Sequence, residues 1–169
     1  MRAEDYETAY FDNLEYFEYL KAENAAGRCL ICTLVRGGDT LPVVYRDDLC
    51  VAFFNPHPRL LGYLFVAPLA HRTAVVGAFS EAEYLELQRR VYRLGRAVSD
   101  VVPTERLYVL SFGSNQGLAH VHWHLAPLPA GTPFDSQQFE AISRAAYLRI
   151  PEGDQATLAQ AIRSALAPL

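Results

Sequence analysis

The chain has 169 residues, 51% of them apolar and 20% charged, with a formal net charge of −4. These values suit a globular chain with a sizeable core and exclude bulk disorder, and no apolar run approaches the ~18 residues that a membrane span needs. The charge imbalance lies at the front, where residues 1–28 hold seven acids and three bases against twelve of each in the remainder, so the basic stripe of a nucleic-acid binder is missing.

The start, Met1-Arg2-Ala3-Glu4-Asp5, lacks the basic head and apolar stretch of a secretory signal, and a soluble cytoplasmic protein is expected. From Ala3 to Ala26, Tyr6, Tyr10, Leu14, Phe17 and Leu20 recur at helical spacing, and Gly27 offers a C-cap. Three cysteines, two of them in Cys29-Leu30-Ile31-Cys32, make no disulfide framework, and Cys50 reads as a small core residue. Pro42–Arg46, Leu49–Phe54 and Gly62–Ala67 are rich in β-branched and aromatic residues and read as strands, with a hairpin turn at Arg46-Asp47-Asp48. Asn55-Pro56-His57-Pro58 reads as an exposed loop. Ser80-Glu81-Ala82-Glu83 is a capping box launching a helix to about Val102, ahead of Pro103. A strand over Arg106–Phe112 follows, then the loop Gly113–Gly117 and a strand carrying His120-Val121-His122-Trp123-His124. Helices are expected over Ser136–Leu148 and Asp154–Leu166. No repeat or linker divides the chain, so residues 1–169 read as one domain: an extension over 1–28, a core over 29–129 and a helical extension over 130–169.

Three of the five histidines fall within five residues. On a strand, Val121, Trp123 and Leu125 face a core and the three imidazoles share the other face, roughly 6–7 Å apart. An ordinary solvated face carries Thr, Lys, Glu or Arg instead. Imidazole titrates near neutral pH, attacks phosphorus and ligates zinc. Cys29 and Cys32 supply two of the four ligands of a tetrahedral zinc site, leaving two to come from His57, His71, His120, His122 or His124. Gly113 and Gly117 let backbone approach a ligand closely, while Ser114, Asn115 and Gln116 add side-chain donors for an anion.

His120-Val121-His122-Trp123-His124-Leu125-Ala126 resembles the His-x-His-x-His-x-x motif of the histidine-triad (HIT) superfamily of nucleotide hydrolases and transferases. Cys29–Cys32 resembles the C-x-x-C of zinc-bearing bacterial members, and Gly62–His71 their strand, proline and following histidine. The resemblance spans residues 29–129. It implies an α+β fold with a roughly five-stranded antiparallel sheet, the Ser80–Val102 helix on one face, and a homodimer; the helical extensions at both ends lie outside it. It implies that His122 is a nucleophile that becomes nucleotidylated, that His124 bonds phosphate or leaving-group oxygens, that Asn55 contacts ribose, and that Gln116 lies on the phosphate side. It implies a structural zinc on Cys29, Cys32, His71 and His120. The expected activity is hydrolysis of a nucleoside phosphate bond, with dinucleoside polyphosphates favoured. A nucleotidyl transferase or phosphorylase with the same intermediate, or a nucleotide-binding module with little turnover, are the alternatives. Two departures stand out: Tyr63 replaces a histidine found in many members, and the loop before the triad lacks their Gly-Gly-Gln-Ser pattern.

Overall fold

The structure, a computed structural model, describes residues 1–10, 12–38, 41–113, 118–143 and 146–166. In chain order its elements are β1 (Thr8–Tyr10), α1 (Asn13–Ala25), α2 (Leu30–Val35), β2 (Val43–Arg46), β3 (Cys50–Phe54), β4 (Leu64–Pro68), α3 (Glu81–Val101), β5 (Thr104–Leu110), β6 (Trp123–Pro129), α4 (Gln137–Ser143), β7 (Ala146–Leu148) and α5 (Glu152–Ala165). Strands β2-β3-β4-β6-β5 form one antiparallel sheet, and β1 pairs with β7 in a second, small one.

Both faces of the larger sheet are covered. The capping box at Ser80 and Glu83 starts α3, and its periodic Leu87, Val91, Leu94 and Val98 meet Ala52, Val66, Trp123 and Leu125 on one face. Helix α5 joins that layer through Leu158 and Ile162. The opposite face carries Phe53, Phe65, Ala67, Ala126 and Leu128 beneath Leu20 of α1, Ile31 and Leu34 of α2 and Ala141 of α4. Strands β3 and β4 are therefore buried at every position, which is why they read as continuous apolar runs. Each large aliphatic side chain buried this way contributes about 1.5–3 kcal/mol. Cys50 is a buried core residue of the α3 face, as its setting in the sequence implied. Gly62 turns the chain into β4 with φ +77°, and a Cβ there would lie 2.8 Å from Val102, so both conformation and space require glycine.

The terminal segments depart from their expected helices. Residues Ala3–Asp5 form a 3-10 turn, Thr8–Tyr10 a strand, and α1 begins only after Asp12, whose carboxylate accepts from the Leu14 and Glu15 amides. At the other end, α4 stops at Ser143 and Ala146–Leu148 is a strand. The two errors share one cause: Thr8 pairs with Leu148 and Tyr10 with Ala146. Such distant pairing overrides local helical spacing. The histidine segment also differs, because β6 begins at Trp123 and His120 and His122 lie ahead of it. There the Val121 amide donates to the Arg72 carbonyl, and the Ser111 hydroxyl donates to the His122 carbonyl.

Asp47 locks the β2–β3 turn onto α3. Its carboxylate accepts from the Leu49 and Cys50 amides, the Tyr45 hydroxyl and Arg90 Nε, at 2.8–3.0 Å. Burial alone would raise its pKa, but these donors outweigh it and hold the group at about 2. The unfolded carboxyl titrates near 3.8, so the stabilisation is complete above that value and is lost as pH falls through about 2. Asp47→Asn should destabilise the fold by about 1–3 kcal/mol at pH 7, and urea midpoints should show a smaller gap between wild type and variant at pH 3. A gap that stays constant over this range contradicts the assigned role.

Candidate active site and metal centre

The fold brings Cys29, Cys32, His71 and His120 together from segments far apart in sequence, with one ligand atom from each lying within 4.8 Å of the others. Cys29 N-caps α2 and Cys32 lies in its first turn, with the Cys32 amide donating to Cys29 Sγ. His120 Nδ1 lies 3.8 Å from Cys29 Sγ and 3.5 Å from Cys32 Sγ, and His71 Nδ1 lies 3.1 Å from Cys32 Sγ. Zn–S and Zn–N bonds in a tetrahedron put ligand atoms roughly 3.4–3.8 Å apart; both His120 distances match this, His71 to Cys32 is shorter, and the two-thiol, two-imidazole donor set fits zinc in chemistry. His120 Nε2 donates to the Pro68 carbonyl at 2.9 Å, which leaves Nδ1 unprotonated and facing the thiols. Such a second hydrogen bond orients a histidine ligand and fixes its tautomer. Burial, followed by the neighbouring Cys29, pushes the Cys32 thiol up to about 11; coordination reverses this, since a metal-bound thiol is deprotonated outright. Four protein ligands leave no open position for water, so the site is structural.

The next two histidines serve a different space. His122 and His124 are buried and line a pocket of about 110 Å³, far more than the ~10–15 Å³ that one water needs. Their rings lie 4.7 Å apart, closer than strand spacing alone implied. His120 has turned to the cysteines, so the three imidazoles do not share one face. His122 Nδ1 bonds the His120 carbonyl at 2.9 Å. A carbonyl only accepts, so Nδ1 carries the proton and Nε2 keeps its lone pair. Burial lowers the pKa of His122, only partly offset by that bond, and the ring is neutral near pH 7. His124 Nδ1 lies 2.9 Å from the Tyr63 hydroxyl, and His124 is packed edge-on against Phe65 and Phe112.

Asn55 lines the same pocket. Its Oδ1 accepts the His57 amide, which fixes the side chain and points to Nδ2 as the atom available to a ligand. The expected contacts Ser114, Asn115 and Gln116 lie outside the described residues. His57, the competing zinc ligand, is not in the metal cluster. Its loop is not exposed either: His57 sits edge-on between Tyr16 and Tyr147, brought there by the two terminal segments. Tyr16, Phe17 and Leu20 of α1 and Ile142 of α4 complete the wall, and Arg59, which also lines it, donates to the Ile142 carbonyl. Sequence reading missed Arg59 and these wall residues. Arg59 sits two residues beyond His57 in the loop that follows the Asn55 position, and that spacing was the available signal.

The HIT domain family profile matches residues 39–130, more than half of the chain, and the chain belongs to this family. Cys29 and Cys32 precede the matched segment. An uncharacterised HIT-like protein of Saccharolobus solfataricus is 28% identical over 102 residues, covering 59% of this chain and 73% of its own. Among solved structures, a HIT-like protein involved in cell-cycle regulation from Bartonella henselae superposes with a TM-score of 0.66 at 22% identity, over 82% of this chain and 96% of that one. A zinc-bound histidine triad family protein from Mycobacterium smegmatis gives 0.63 at 18% identity, over 82% and 92%. No described helix is long and apolar enough to cross a membrane.

Protein purified without chelator should carry one zinc per chain by elemental analysis. The clip joins Cys29 to a residue 91 positions away, so it constrains the unfolded chain strongly. Chelation or Cys32→Ser should lower Tm; a loss of ~3 kcal/mol corresponds to about 6–12 °C. Zinc-free protein with the same Tm would contradict the site.

Proposed function

We propose that this HIT-family protein cleaves a nucleoside phosphate bond through a nucleotidyl-His122 intermediate, with dinucleoside polyphosphates as favoured substrates. Membership of the HIT family points to nucleotide-binding or hydrolase activity. The observation that carries the finer reading is the bond from His122 Nδ1 to the His120 carbonyl, because it leaves Nε2 as a neutral nucleophile in a pocket. In the first step Nε2 attacks the α-phosphorus, a P–N bond forms, and the P–O bond to the leaving group breaks. In the second, water attacks the same phosphorus and the P–N bond breaks, returning His122 to its starting state. Splitting one hard hydrolysis into two easier steps is the advantage of covalent catalysis.

The neighbours suit the reaction. His124 lies beside the nucleophile to bond oxygens on phosphorus, and the Asn55 amide nitrogen is free for the ribose. Gln116 is assigned the phosphate side on its place in the motif alone. Arg59 puts a guanidinium on the pocket wall, a group suited to phosphate oxygens, and this favours polyphosphates over phosphoramidates as the substrate class. Zinc, when bound, supplies no chemistry at phosphorus; it fixes the residue whose carbonyl sets the His122 tautomer.

Incubation with diadenosine tetraphosphate separates the possibilities. Hydrolysis at the α-phosphorus predicts AMP and ATP, with or without added phosphate. ADP in place of AMP when phosphate is present identifies a phosphorylase, and binding without product identifies a binding module. His122→Ala should lower kcat by several orders of magnitude, and near-wild-type turnover would overturn its role. Asn55→Ala should raise KM more than it lowers kcat, as expected for a contact made equally in ground and transition states.

A further inference from the structure

Tyr63 lies just ahead of β4, and its hydroxyl makes one hydrogen bond among the described residues: to His124 Nδ1, at 2.9 Å. Both groups are buried, with Tyr63 4% and His124 5% exposed. Among the described residues His124 Nε2 has no hydrogen-bond partner although it is buried, and His124 lines the pocket. The bond could run either way, and counting the groups left unsatisfied decides its direction. If Nδ1 carried the proton and donated to the tyrosine oxygen, the hydroxyl hydrogen and the Nε2 lone pair would both be buried without partners. If the hydroxyl donates to Nδ1, the hydroxyl hydrogen is satisfied and only the weakly accepting phenol oxygen goes unused, while Nε2, unpartnered in either case, becomes an N–H on the pocket side. A stranded buried polar group costs about 1–3 kcal/mol, so the second arrangement prevails.

We propose that Tyr63 is a positioning residue that locks His124 as its Nε2–H tautomer, so that His124 presents a fixed hydrogen-bond donor to the oxygen leaving phosphorus. This rests on the hydrolase reading for the identity of that oxygen. The tyrosine does what a histidine at the same place cannot. A histidine partner can exchange proton positions with His124 near neutral pH, whereas burial raises the Tyr63 hydroxyl to about 12, with Arg59 opposing slightly. Its proton therefore stays in place across the working range. Burial, then the neighbouring His122, lowers His124 to about 3, so it donates as a neutral ring. Phe65, Phe112 and His122 pack against the ring of His124 and hold its plane, which keeps Nε2–H aimed at one point. A donor already in place where charge develops needs no reorganisation during reaction.

Two measurements test this. Long-range 1H–15N NMR of the purified protein reads the His124 tautomer without turnover; Nε2–H is expected, and Nδ1–H overturns the proposal. The second compares wild type with Tyr63→Phe, which keeps the ring and removes only the hydroxyl, on two esters of AMP. With an aliphatic alcohol as leaving group, the departing alkoxide accepts the Nε2–H hydrogen bond and is then protonated by solvent, and kcat should fall about tenfold, the worth of one hydrogen bond. With 4-nitrophenol, a stable anion that leaves unaided, kcat should change little. Equal losses on both esters, or no loss on the aliphatic one, overturn the proposal. If wild type turns over neither these esters nor diadenosine tetraphosphate, the hydrolase reading fails while the tautomer measurement still decides the role of Tyr63.

Discussion

One peptide carbonyl governs this site. The oxygen of His120 accepts the Nδ1 proton of His122, and that single bond makes Nε2 a lone pair instead of an N–H. The same residue's ring belongs to the four-residue metal cluster and is pinned from behind by the Pro68 carbonyl. Movement in the four-residue cluster therefore moves the atom that sets the His122 tautomer. Two further bonds hold the backbone around it, from Val121 to Arg72 and from Ser111 to the His122 carbonyl. The alternation of the motif is what allows this division of labour. Histidines two residues apart serve the Cys/His cluster and the pocket while Val121, Trp123 and Leu125 remain in the core.

The sheet provides the frame for the pocket, and the terminal segments supply one of its walls. Pairing of β4 with β6 sets Phe65 opposite His124, and the Tyr63 hydroxyl then reaches Nδ1 from just ahead of β4. On the open side, α1 contributes Tyr16, Phe17 and Leu20 and α4 contributes Ile142. All four lie outside the segment that the HIT family profile matches. One wall of the pocket that His122 and His124 line is thus built by residues outside the matched segment. The small β1–β7 sheet ties the two terminal segments to each other.

Features whose cause is local were legible in the sequence. The Ser80–Glu83 box and the spacing of Leu87, Val91, Leu94 and Val98 define α3 without reference to anything distant. The cysteine pair and the histidines announce their chemistry by residue type and interval, and the structure brings Cys29, Cys32, His71 and His120 into one cluster. Features that depend on distant pairing were not legible. Tyr6 and Tyr10 fit a helical stripe, yet Tyr10 lies in a strand because Ala146 is its partner. The contact between Tyr63 and His124 needs the β4–β6 register, so the sequence exposed only an unusual residue and not its role. His57 followed the same rule: two prolines suggest an exposed loop, but Tyr16 and Tyr147 close over it from both ends of the chain.

The central claim is that His122, held as its Nδ1–H tautomer, becomes covalently nucleotidylated. Rapid alkaline quenching during turnover of diadenosine tetraphosphate, followed by peptide mass spectrometry kept at alkaline pH until ionisation, tests it directly. An adenylyl group should be found on the peptide containing His122, appearing and decaying fast enough to account for product formation. Product formation with no adduct, or with the adduct on another side chain, would contradict it.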